Sequence, residues 1–187
     1  MLVIAVGVRV MNFRSRLPAG LAVLIALALP RLAIAQMPDL GLAERVADVV
    51  TRHPALGIFD DVIVEATNGA VRLTGRVTTP VKRDAVAERA AKINGVLSVA
   101  NEIQVLPNSP LDARLRARVA QTIYGHPSFW RYASMANPPI HIIVENGHVT
   151  LTGCVNGDGE KALAFALAQV EGAVGVKNEL RGEVRRE

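Results

Sequence analysis

Residues 68–77 read Asn-Gly-Ala-Val-Arg-Leu-Thr-Gly-Arg-Val, and residues 146–155 read Asn-Gly-His-Val-Thr-Leu-Thr-Gly-Cys-Val, identical at seven of ten positions. Each stretch opens on Asn-Gly, the favoured two-residue hairpin turn, because both central positions of a type I′ turn need φ > 0. Upstream of the first turn Val62, Val64 and Ala66 alternate with polar residues; beyond it Val71, Leu73, Gly75 and Val77 do the same. A turn at Asn68-Gly69 sets Ala66 opposite Val71 and Val64 opposite Leu73, so both apolar sets share one face. In the second copy Asn146-Gly147 brings Ile140, Ile142 and Val144 to the side of Val149 and Leu151.

Working outward, the repeat grows. His53-Pro54 matches His126-Pro127 at an offset of 73, the hairpins match at 78, and Gly95 and Asn101-Glu102 match Gly172 and Asn178-Glu179 at 77. The second copy therefore gains five residues after its His-Pro and loses one after its hairpin. Residues 42–53 place Leu42, Val46, Val49 and Val50 on one helical face, and Pro54 stops the helix. A second helix starts at Pro80 with Val86, Ala90 and Ile93 as its core stripe. Gly95 ends it, and Leu97, Val99 and Ile103 mark a last strand, parallel to the one before because a helix intervenes. The expected fold is α+β: two tandem αββαβ domains, each a three-stranded mixed sheet with two helices on one face. The domains fall at 41–106 and 111–183, joined by a linker at 107–110, Pro-Asn-Ser-Pro. A helical hairpin without a sheet conflicts with the period-2 alternation and both Asn-Gly turns.

Composition narrows the function. The chain carries 21 Lys and Arg against 17 Asp and Glu. Arg9, Arg14, Arg16 and Arg31 lie in an acid-free leader, so the remainder is neutral and gives nucleic acid no electrostatic footing. Residues 1–35 read as a secretory signal: Arg14 and Arg16 lead an apolar run from 19 to 29, Pro30 breaks it, and Ala33-Ile34-Ala35 supplies small residues before Gln36. The run is shorter than the ~20 residues that span a bilayer, which weighs against an anchor. Met11 sits just ahead of this signal, so either Met1 or Met11 is the start. The single cysteine, Cys154, lies far from that cleavage site, and one thiol excludes an internal disulfide.

The succession of helix, strand, Asn-Gly, Val-x-Leu-x-Gly-x-Val, helix and Gly-Val-x-x-Val-x-Asn resembles the BON domain, seen twice, as in osmotically inducible periplasmic proteins. The resemblance implies a non-catalytic periplasmic module that binds phospholipid or partner proteins, with no cofactor.

Nothing in the residues argues for catalysis. His53 and His126 sit at equivalent helix ends, where a side chain can meet terminal carbonyls. His141 and Cys154 make at most a two-ligand pair, too few for a zinc site, so no metal is expected. Gly75 and Gly153 are read as letting a helix pack closely on the strand. The copies also differ. Phe165 and Ala166 stand where the first copy is read as having Glu88 and Arg89, so that helix has lost its charged face, which points to packing against the other domain, a second subunit or lipid. The insertion carries Phe129-Trp130-Arg131-Tyr132, three of the seven aromatic residues of the chain. Aromatics beside an arginine suit a membrane interface, and Arg114, Arg116 and Arg118 on the preceding helix could meet lipid phosphates; a local mini-core is the plainer account of the same residues. The leading expectation is an envelope-stress or envelope-maintenance protein contacting anionic phospholipid through Phe129, Trp130, Arg131, Tyr132, Arg114, Arg118 and Phe165. The alternative is a protein–protein adaptor or homo-oligomerisation module in the periplasm, with the oligomeric state open.

If residues 1–35 are removed on export, periplasmic protein should begin at Gln36 and Ala35→Leu should block processing. N-terminal sequencing that finds Met1 or Met11 on soluble cytoplasmic protein would refute the signal.

Overall fold

The computed structural model describes residues 39–182; the signal assigned to 1–35 and the last residue of the second domain, 183, lie outside it. The described residues fall in one compact unit, within which the two copies repeat the same order of helices and strands. The first runs α1 (Leu40–Thr51), β1 (Asp61–Thr67), β2 (Ala70–Val77), α2 (Pro80–Ala91), β3 (Ser98–Asn101) and β4 (Gln104–Val105). The second runs α3 (Pro110–Tyr124), a 3₁₀ turn (Pro127–Phe129), α4 (Trp130–Ala133), β5 (Ile140–Glu145), β6 (His148–Val155), α5 (Gly157–Ala168), β7 (Gly175–Asn178) and β8 (Arg181–Gly182).

Both hairpins have the expected register, Ala66 against Val71 and Val64 against Leu73, Val144 against Val149 and Ile142 against Leu151. Asn68 and Asn146 hold φ of 50° and 52°, with Gly69 and Gly147 at 79° and 78°. The third strand of each sheet is parallel to the second, as the crossover requires, but comes in two pieces: β3 and β4 both pair with β2, and β7 and β8 both pair with β6. An asparagine bridges each break. Asn101 donates through Nδ2 to the Arg83 carbonyl (3.1 Å) and accepts from the Ile103 N–H (3.3 Å); Asn178 does the same with Lys161 (2.8 Å) and Leu180 (3.2 Å). The side chain thus replaces ladder bonds and ties strand to helix. The break turns Ile103 and Leu180 inward, both buried.

Each sheet buries one face under its helices. Leu42, Val46, Val50, Val71, Leu73, Val77, Val86 and Ala90 make the first core; Val119, Ile123, Phe129, Ile140, Ile142, Leu151, Ala164 and Ala168 are among the second. The repeats meet where the Ile142 N–H donates to the Ile58 carbonyl (2.6 Å), Phe59 packs against the second core, and Arg76 pairs with Glu145 at 3.5 Å.

Three expectations are corrected. Ala164 and Ala168 occupy the places of Val86 and Ala90, so α5 aligns with α2 at 78 and the lost residue falls at the C-terminal end of the helix. Phe165 is therefore the counterpart of Ala87, and Ala166 and Leu167 replace Glu88 and Arg89; the charge is still lost, at different positions. Gly75 and Gly153 do not serve helix packing. Their φ values are 113° and 105°, and an added Cβ would lie 2.2 Å from the Asp61 carbonyl oxygen and 1.9 Å from that of Pro139, on the neighbouring chain segment of the hairpin. His53 and His126 do not meet helix-end carbonyls; each Nδ1 accepts the N–H two residues on, from Ala55 (3.1 Å) and Ser128 (3.3 Å).

Gly75→Ala and Gly153→Ala should be more damaging than Gly69→Ala. All three glycines sit at positive φ, but the first two would drive a Cβ into a backbone carbonyl, whereas at Gly69 the nearest obstacle is the flexible Leu97 side chain, 2.8 Å away, with the Gly95 carbonyl oxygen at 3.1 Å. Thermal unfolding should show losses of about 2 kcal/mol or more for the former pair and on the order of 1 kcal/mol for the latter. Equal midpoints for all three would show that the cross-strand approach is relaxed in solution.

Candidate lipid-facing surface

The inserted segment divides its aromatics. Phe129 is fully buried and Tyr132 nearly so, in ring contact at 6.0 Å between centroids, while Trp130 is 62% exposed. Phe129 and Tyr132 are thus part of the second core itself. The Trp130 indole N–H donates to the Gly125 carbonyl (3.1 Å), which holds the ring at the C-terminal end of α3.

Tyr132 also belongs to a clamp. In the first repeat the buried Asp60 carboxylate accepts from the N–H of Gly57 (2.9 Å), the N–H and hydroxyl of Thr78 (2.8 and 2.9 Å) and the Lys82 ammonium (2.7 Å), tying the loop before β1 to the start of α2. In the second repeat the place of Lys82 is taken by Glu160. Its carboxylate accepts from the Asn156 N–H (2.9 Å) and the Tyr132 hydroxyl (2.7 Å), and pairs with Arg131, whose guanidinium lies 4.7 Å over the Tyr132 ring. The charges are exchanged across one junction. Anion on the loop and cation on the helix become cation on the loop and anion on the helix. Arg131, about half exposed, is accordingly committed to the clamp.

The solvent face of α3 is the other distinctive surface. Leu111, Arg114, Ala117, Arg118, Gln121 and Gly125 are exposed and fall on one stripe at 3.6-residue periodicity. Leu111, 74% exposed, sits at one end and Trp130 at the other, about 20 Å apart along the helix. Arg118 also donates to the Glu171 carbonyl. The same stripe on α1 is Gly41, Glu44, Arg45, Asp48 and Arg52, with Asp48 and Arg52 paired at 2.7 Å. So α1 presents two acids and two bases, whereas α3 presents two arginines and no acid. Arg116, expected beside them, is instead buried and donates to the Val144 carbonyl (2.9 Å). The buried Asp112 carboxylate accepts the N–H groups of Asn146 (3.0 Å) and Gly147 (2.8 Å), fixing the N-terminal end of α3 to the hairpin turn.

Phe165 is 36% exposed. Helix α5 packs on α3, β6, β7 and β8, and Phe165 borders a shallow hollow with Val170, Ala173, Val174 and Val176. Among the described residues no group of three metal-ligating side chains occurs, and no helix is long and apolar enough to cross a membrane.

The family model described as BON domain matches residues 38–107 and again 112–183. No curated protein matches the chain. Among solved structures, a structural protein of the type III secretion system of Chlamydia trachomatis (CdsD) is 17% identical over 76% of this chain and 93% of its own, with a TM-score of 0.28. The C-terminal domain of the same protein is 16% identical over 79% of this chain and all of its own, with a TM-score of 0.27. Superpositions that loose carry no functional argument.

Burial holds two phenols neutral. Tyr124, donating to the Ile140 carbonyl, is pushed far above the usual tyrosine range by desolvation; Tyr132 is raised by desolvation and then by its bond to Glu160. Raised folded values mean that their stabilisation is complete below about pH 10, where free tyrosine ionises, and is lost as pH rises toward the folded values. Melting temperature should fall above about pH 10, and Tyr124→Phe should flatten that fall. An unchanged alkaline slope in Tyr124→Phe would show that its phenol is not protected.

Proposed function

This chain belongs to the BON-domain family, and we propose that it is an exported envelope protein that docks on anionic phospholipid through the outer face of α3. BON domains occur in envelope proteins, bind phospholipid and are generally non-catalytic. The observation that carries the reading is the contrast between equivalent helices: Glu44 and Asp48 of α1 become Ala117 and Gln121 of α3, leaving Arg114 and Arg118 unopposed on that face. A helix lying in the headgroup plane needs cations for phosphate and amphipathic or apolar anchors at its ends. Trp130 and Leu111 stand at those ends, and the indole is an interfacial ring. Phe129, Tyr132 and Arg131 serve by positioning Trp130 through the core and the clamp, and Phe165 is outside the docking face.

The test is co-sedimentation of the mature protein with phosphatidylglycerol and phosphatidylcholine vesicles. Binding should favour the anionic vesicles, and Arg114→Glu with Arg118→Glu should weaken it at least about tenfold. The same reversals at Arg45 and Arg52 should have little effect. Trp130 fluorescence should shift to the blue on binding, and Trp130→Ala should weaken binding without altering far-UV circular dichroism. Undiminished binding by the α3 double variant would overturn the assignment of this face.

A further inference from the structure

The outer edges of β1 and β5 are equivalent strands with opposite treatment. In an antiparallel pair alternate residues turn their N–H and C=O away from the partner strand. On β5 these are Ile140, Ile142 and Val144, and each is engaged. The Ile140 carbonyl accepts the Tyr124 hydroxyl, the Ile142 N–H meets Ile58, and the Val144 carbonyl accepts Arg116. Their counterparts on β1 are Val62, Val64 and Ala66. The Ala66 carbonyl accepts the Asp39 N–H (2.8 Å), but among the described residues nothing bonds the outward groups of Val62 and Val64. The reason is in the sequence. The places of Tyr124 and Arg116 are held by Thr51, whose hydroxyl turns back to the Ala47 carbonyl (2.8 Å), and by Ala43, which has no donor. No described residue takes the place of Ile58.

That open edge faces a groove of about 490 Å³, with residues 61–64 as one wall and His141, Thr152, Glu179 and Arg181 on the other. On its second wall the Thr152 hydroxyl and the His141 Nδ1 are buried with no hydrogen-bond partner among the described residues. Unpaired strand edges are ordinarily blunted, and buried polar atoms are ordinarily satisfied.

We propose that this groove is a peptide-docking site, in which an extended segment of a partner protein adds as a strand to the outer edge of β1. The equivalent edge of β5 already makes one main-chain bond to a turn of the other repeat. There the backbone at Ile58 bonds β5 while the neighbouring Phe59 packs into the second core. Main-chain bonds to Val62 and Val64 supply affinity, and polar groups of the incoming strand satisfy Thr152 and His141. Asp61 and Glu179 face the same groove as Arg181, so recognition rests on the main chain rather than on net charge.

The experiment selects peptides from a short-peptide display library on the whole mature protein, then maps amide exchange with the selected peptides bound. The expected result is enriched peptides that slow exchange at Val62 and Val64 by about tenfold or more. Val64→Pro removes an outward N–H that the β1–β2 ladder does not use, a substitution an edge strand tolerates. It should weaken those peptides by at least about tenfold. The proposal is overturned if no peptide is enriched, if protection falls elsewhere, or if Val64→Pro folds and binds undiminished. It is equally overturned if the two amides are protected without peptide by self-association, or only by anionic vesicles. The exchange map on the unaltered protein stands whether or not the proline variant folds.

Discussion

Each repeat depends on a two-residue turn held in the left-handed region. Asn68-Gly69 and Asn146-Gly147 leave no residue to spare between their strands, so the parity of every side chain and every backbone N–H follows from them. A shift by one residue would turn Val64, Leu73, Ile142 and Leu151 to solvent and bury polar neighbours such as Glu65, Arg72, Thr150 and Thr152. The same parity decides which amides point into the sheet and which point outward from β1 and β5. Core, crossover and edge chemistry are therefore consequences of one local geometry used twice.

On that shared frame the repeats have diverged by exchanging charge. The junction between loop and second helix is closed by Asp60 and Lys82 in one repeat and by Arg131, Tyr132 and Glu160 in the other. Either polarity satisfies the backbone N–H at the start of the helix, since a carboxylate is available from whichever side carries it. The first-helix faces diverge without compensation: Glu44 and Asp48 disappear, and no exposed acid replaces them on α3. A compensated exchange marks a fold requirement, whereas an uncompensated one leaves a surface field that solvent or a ligand must meet.

The elements were legible in the sequence because alternation, Asn-Gly and the helix stripes agree with one another. Misreadings came where an offset changes inside an element. Placing the lost residue before α5 shifts Phe165 by one place, onto Glu88 instead of Ala87, whereas Ala164 and Ala168 are the fully buried positions of that helix. The roles of Gly75 and Gly153 were not legible either, since inward parity gives no sign of a neighbouring carbonyl at contact distance. The aromatic cluster read as a single patch because composition does not reveal which rings face inward. Spacing offered a hint: Phe129 and Tyr132 are three apart and Trp130 is out of phase. Arg116 had a comparable signal, lying one position after Leu115 on the inward side of the Arg114 and Arg118 stripe.

Phe59 comes from the first repeat, yet its ring packs with the core of the second. A chain made from its N-terminus completes α1 through β4 before the pocket for that ring exists. The first repeat must then carry an exposed phenyl through its own folding, and burial of that ring rewards only the arrival of its neighbour. Loss of the second core would in turn uncover apolar surface on the first. Residues in contact couple energetically, so the free energies of the two repeats do not simply add across the Pro107–Pro110 connection.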